Sequence, residues 1–125
     1  MIVNEIRLSN QSKDRLSRLK GKTGIQNWNT LCRWALCYSL SEPTIPTDVE
    51  YIADSNVEMT WHVFGGEFSE LYEALIRERC IKDKLGTEPE TLKKYFRLHL
   101  NRGINHLSGT NVIKSLTDLL ELAVK

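Results

Sequence analysis

Residues 28–40 read WNTLCRWALCYSL, and their apolar members surround a helix axis instead of keeping to one side of it. Trp28, Leu31, Cys32, Trp34, Ala35, Leu36, Cys37, Tyr38 and Leu40 cover most of the circumference at 3.6 residues per turn. A helix apolar nearly all round has to be buried on several sides. A chain of 125 residues with 41% hydrophobic content builds one core and has little apolar surface to spare. The sequence therefore predicts one domain over residues 1–125, mainly α with short β segments, in which a subunit interface completes the cover of this helix.

The neighbouring segments sort by period. Residues 3–8 alternate weakly, with Asn4, Ile6 and Leu8 on one side and Val3, Glu5 and Arg7 on the other, as in a short strand. Ser9 or Asn10 can cap a helix running to about Lys20, with Gly21 and Gly24 punctuating its end. Asn27 stands at the cap of the apolar helix. Residues 41–56 read as a loop around Pro43, Pro46 and Asp48, with Tyr51 and Ile52 as its points of order. Val57, Met59, Trp61 and Val63 then alternate with Glu58, Thr60 and His62, which predicts a second strand closed by Gly65 and Gly66.

Helical spacing returns at Phe68, Leu71, Tyr72, Leu75 and Ile76, up to about Leu85, with Gly86 as the stop. Thr87 and Glu90 form a capping box for a helix whose face includes Leu92, Phe96 and Leu100 and which Gly103 ends. A last helix is expected from about Asn111, with Val112, Leu116, Leu119 and Leu120. No repeat, low-complexity tract or linker divides the chain.

The net charge of +1 conceals a strong segregation. Residues 6–41 carry seven bases against one acid, residues 42–74 eight acids and no Lys or Arg, and residues 75–125 ten bases against six acids. A solvated helix usually mixes both signs, so a one-sign cluster suggests a surface for an anion. On the first helix Arg15, Arg18 and Lys22 share one flank, and Lys13 and Lys20 the other, both bordering the stripe of Leu16 and Leu19. These five bases are the expected DNA-backbone contacts, since Lys and Arg bind phosphodiesters and release condensed counterions, and Arg7 on the strand is a further expected DNA contact. Asn27 joins them because the amide-bearing start of a helix seats phosphate. The competing reading is a solvated face with no ligand. The acidic segment is expected to face away from a polyanion or to meet a basic partner protein.

Other chemistries find weaker support. His62, His99 and His106, with Cys80 or Glu67, lack the tight ligand spacing of a metal motif, so no metal or cofactor is expected. Glu58, His62 and Glu67 around a strand and Gly65-Gly66 allow a metal-dependent nickase reading, which a strand and a tight turn explain equally well. Trp28, Trp34 and Trp61 can stack bases, but their apolar surroundings favour core packing. The bases between Arg77 and Arg102 alternate with acids, as on an ion-paired helix surface. Cys32, Cys37 and Cys80 read as reduced, mostly buried thiols. No run nears the roughly 18 apolar residues of a membrane span, and the start lacks signal-peptide features, so a cytoplasmic protein is expected.

A short strand, a basic helix, a glycine-containing turn and an apolar helix within forty residues resemble the ribbon-helix-helix group of DNA-binding proteins. In that group two chains pair their strands and interlock their helices, and a helical bundle would follow here. Over its whole length the chain is similar to the DndE family of bacterial DNA phosphorothioation, on the stretches IRLSNQSKDRLSRLKGKTG, EMTWHVFGGEFSELYEALIRERC and LKKYFRLHLNRGINHLSG. The resemblance implies a homotetramer that binds duplex DNA, preferably nicked, beside an ATPase and a sulfur-transfer component. The function it implies is a non-catalytic DNA-binding subunit; a structural adaptor bridging the modification complex is the alternative, and a nickase the weaker one.

Overall fold

The computed structural model describes residues 2–50 and 52–124. The order is β1 (Glu5–Arg7), α1 (Asn10–Thr23), α2 (Trp28–Ser41), β2 (Glu58–Thr60), α3 (Trp61–Gly65), α4 (Ser69–Lys82), α5 (Pro89–Leu107) and α6 (Leu116–Glu121). Short 3-10 turns at Gly66–Phe68 and Leu122–Val124 complete it. Tyr51, one expected point of order in the long loop, lies outside the described residues, and Ile52 is exposed without regular structure. Among the described residues no helix is long and apolar enough to cross a membrane.

α5 is the axis of the fold. It buries Leu92, Phe96, Leu98, His99, Leu100, Gly103, Ile104 and Leu107, and its contact with α2 is the most extensive in the molecule. Gly103, expected to end the helix, lies inside it and makes that contact possible: a Cβ there would fall 1.8 Å from the Ala35 carbonyl oxygen. The helix starts with Pro89 in its first turn, after Glu88. Proline's fixed φ suits that position and its missing N–H costs nothing there, so the expected Thr87–Glu90 box is not formed.

The second expected strand stops early. β2 pairs antiparallel with β1, Glu5 opposite Thr60, Ile6 opposite Met59 and Arg7 opposite Glu58. The partner of β1 is thus a strand of its own chain, where the resemblance implied a strand from a second chain. Ile6 and Met59 meet on the buried face, and Val3 joins them there while Asn4 is exposed, the reverse of the expected alternation at those two positions. The Thr60 hydroxyl then accepts from the Val63 amide at 3.1 Å and starts α3. Trp61 and Phe64, three apart, turn inward against Phe96 with ring centroids 5.3 and 5.5 Å away, leaving Val63 outside.

The remaining helices differ from expectation at their ends. α1 runs through Gly21 to Thr23, and Gly24, at φ 79°, closes it by donating to Lys20 O at 2.9 Å. The last helix begins only at Leu116, because Ser115 accepts from the Asp118 amide while Asp118 accepts from the Lys114 amide. α4 buries Ile76 and Cys80 but leaves Leu71 and Leu75, with Phe68 before them, exposed. α2 is covered by its own chain more than expected. Leu31, Cys32, Ala35, Leu36 and Ser39 are buried, Trp28, Trp34, Tyr38 and Leu40 are half-buried, and Cys37 is exposed.

Candidate nucleic-acid interface

Ser9 caps α1, its hydroxyl accepting from the Ser12 amide at 3.0 Å. Ser12, Leu16, Leu19 and Thr23 form the buried stripe, spaced four, three and four residues apart. That spacing turns the bases to the two flanks. On the flank toward α5, Arg15 donates to the side-chain oxygen of Asn105, while Arg18 and Lys22 are exposed. On the flank toward β2, Lys13 Nζ donates to Asn56 Oδ1 at 2.6 Å, and Lys20 Nζ stands 3.4 Å from the centroid of the Trp28 ring. Lys20 and Lys22 occupy the last turn, where the helix dipole favours cations. Among the described residues no carboxylate lies within 4.0 Å of Lys13, Arg15, Arg18, Lys20 or Lys22.

Arg7 is arranged differently from these five. Its Nη2 is 2.7 Å from Glu58 Oε2, and the hydrogen bond and charge of Glu58 raise the guanidinium pKa. Asn27 does stand at the N-cap of α2, but its side chain makes no capping bond and is exposed. Asn29 Nδ2 instead donates to Val63 O at 3.0 Å, fixing the start of α2 against α3.

The acidic segment does not simply face away. α1 has no acid in its own first turn, and Asp54 supplies one, its Oδ1 accepting from the Asn10 amide at 2.7 Å. Asp54, Asn56 and Glu58 therefore line the basic helix and its strand. Nothing in their spacing from α1 marks them out, since they meet it only through the β1–β2 pairing.

The second basic group divides. Arg79 and Arg102 are structural: Arg79 donates to Leu40 O and Thr44 O at 2.9 and 2.7 Å, and Arg102 to Ser39 O and Thr44 O at 2.8 and 2.9 Å. Lys94 pairs with Asp48 at 2.6 Å. The possible nickase residues do not converge, and among the described residues no three His, Cys, Asp or Glu side chains could hold a metal. Trp61 is buried in the aromatic core, and Cys32 and Cys80 are buried thiols.

A sequence model described as "DNA sulphur modification protein DndE" matches residues 5–115. Two solved structures are similar in fold. The crystal structure of DndE from Escherichia coli B7A, involved in DNA phosphorothioation modification, shares 26% identity at a TM-score of 0.70, covering 86% of this chain and 98% of its own. A DndE mutant with two glycines changed to lysine, also involved in DNA phosphorothioation, has 23% identity and a TM-score of 0.64, covering 84% and 96%. No curated protein matches the chain significantly.

Proposed function

Since the chain belongs to the DndE family of DNA sulphur modification proteins, we propose that it is a non-catalytic DNA-binding subunit of a phosphorothioation system, holding the duplex backbone on α1. The observation that carries this reading is the set of five bases on one helix, none of them within 4.0 Å of a carboxylate among the described residues. Their hydrogen bonds to Asn56 and Asn105 orient Lys13 and Arg15 without neutralising them. Asn27 and the free amides at the start of α2 add a phosphate seat at the end of the same surface. A nick suits such a surface because an interrupted strand bends at lower deformation cost.

The test is a gel shift with nicked and intact duplex across a salt series. Binding should weaken steeply with salt, favour the nicked duplex, and fall at least about tenfold when Lys13, Arg18, Lys20 and Lys22 are changed together to Glu. Unchanged binding by that variant, with its fold retained, would overturn the assignment of the site.

A second reading, a scaffold for the modification complex, rests on a different face. Phe68, Leu71 and Leu75 are 52%, 53% and 39% exposed, beside the exposed acids Glu67 and Glu70. Nearby, Trp34, Cys37 and Tyr38 of α2 line an outward hollow with Leu122. A homotetramer, or the ATPase and sulfur-transfer components, would cover such surface. Light scattering reads the first; loss of a partner's pull-down on Glu67→Lys with Glu70→Lys, at unchanged DNA binding, reads the second.

A further inference from the structure

Between the Lys13 flank of α1, the first turn of α2 and the residues entering β2 lies an open hollow of about 330 Å³, walled by Lys13, Trp28, Asn56, Val57 and Glu58. Its volume falls in the range of small-ligand sites, about 300–1,000 Å³. Its polar groups are already oriented. Lys13 donates to Asn56 Oδ1, so the amide nitrogen of Asn56 remains as a donor with no partner among the described residues. Both Arg7 bonds to Glu58, 3.2 and 2.7 Å long, end on Oε2, and Oε1 has no hydrogen-bond partner among the described residues. The half-buried indole of Trp28 supplies an apolar wall, and one face of its ring carries the Lys20 ammonium 3.4 Å from the centroid.

This combination selects among ligands. A free anion meets the Glu58 carboxylate, and a free cation meets Lys13 and Lys20. A purely apolar group would strip water from the Asn56 amide and the carboxylate without replacing its hydrogen bonds. A nucleobase meets every requirement at once. Its ring packs against the indole that lines the hollow, its amino group donates to a carboxylate, a neighbouring ring acceptor takes an amide N–H, and its own phosphate stays near the lysines.

We propose that this hollow receives one unpaired nucleobase turned out of the duplex at a strand interruption, with an amino-bearing base such as cytosine fitting best. The inference rests on the DNA-binding reading above and deepens it. It gives a reason for interrupted DNA to be favoured beyond easier bending, because a base beside a break leaves the stack at reduced cost.

Anisotropy titration of the full chain with nicked duplexes carrying, at the break, an unpaired cytosine, an unpaired thymine or an abasic position tests it. Cytosine should bind about tenfold more tightly than the abasic position, with thymine between them. Asn56→Ala and Glu58→Ala should each bring the cytosine-to-abasic ratio to within about twofold of unity, whereas Arg18→Glu should weaken all three complexes alike. Equal affinity for cytosine and the abasic position, or a ratio that both alanine variants leave unchanged, overturns the base pocket while leaving DNA binding in place. Failure to bind any of the three duplexes overturns the DNA-binding reading and the pocket with it.

Discussion

Arg7 and Glu58 stand opposite each other in the β1–β2 ladder, and the guanidinium reaches one carboxylate oxygen through two of its nitrogens. The pair fastens the basic start of the chain to its acidic middle and neutralises the one expected DNA contact that lies on a strand. Glu58→Gln removes the negative charge while keeping an oxygen for Arg7. The expected outcome is duplex binding severalfold tighter at low salt, with a plot of log affinity against log salt steeper by up to about one unit, because the Glu58 charge that opposes both Arg7 and an approaching phosphate is removed. An unchanged slope would show that Arg7 lies off the DNA path.

Gly103 and Ala35 define the crossing of α2 and α5. Gly103→Ala forces the two backbones apart, and overpacking of this kind costs about 1–3 kcal/mol. The cost should sit at the upper end, since the obstruction is the carbonyl group and Cα of Ala35, not the end of a flexible side chain. Gly21 is the control. It lies within α1, and a Cβ added to it would meet nothing within 4 Å, so Gly21→Ala should stabilise by up to about 1 kcal/mol through helix propensity. Urea midpoints at unchanged m-value read both.

The same two glycines show how far the fold is legible in the sequence. Both carry the local signature of a helix stop, because glycine's signal is the same whether it ends a helix or admits a neighbouring backbone. At Gly103 only the position of Ala35, 68 residues earlier in the chain, tells the second case from the first. The basic flanks of α1 are legible, since they follow from helical period alone. Asp54, Asn56 and Glu58 are not, because they reach α1 only through a strand pairing between residues about fifty positions apart, which no local pattern specifies. The alternation of Val57, Met59, Trp61 and Val63 misleads for a related reason. It continues past Thr60, whose capping hydroxyl converts the segment to a helix in which Trp61 and Phe64 share the inner face.

Arg79 holds the segment after α2 in place. Its guanidinium pairs with Asp83 at 2.8 Å, both side chains only 8% exposed, and donates to the carbonyls of Leu40 and Thr44. Arg79→Leu leaves a buried carboxylate and two backbone acceptors without this partner, so a loss of about 3–5 kcal/mol is expected. Arg102 still holds Thr44 in that variant, and limited proteolysis should therefore cut residues 42–50 faster only when Arg102→Leu is added. Equal protease resistance of the double variant and the parent protein would contradict this tethering.

His99 gives the fold a pH dependence of definite sign. It is buried at 1% exposure between α2 and α5, with its Nδ1 2.8 Å from the Ser39 hydroxyl. Arg102 Nε donates to the same Ser39 oxygen, and the other ring nitrogen, Nε2, has no hydrogen-bond partner among the described residues. Burial first, then the nearby Arg79 and Arg102 guanidinium groups, push the imidazole pKa down to about 4. The unfolded chain protonates His99 near pH 6.5 while the folded chain does not, so the unfolded state binds the extra proton between those values. Stability from this residue is complete above about pH 6.5 and falls as the pH drops toward 4. Between about pH 7 and pH 5 the loss should be on the order of 2 kcal/mol. His99→Gln keeps a hydrogen-bonding group beside Ser39 but cannot titrate, so its urea midpoint should fall less over that interval than the parent's. Parallel declines of the two proteins would show that carboxylates, not His99, set the acid sensitivity.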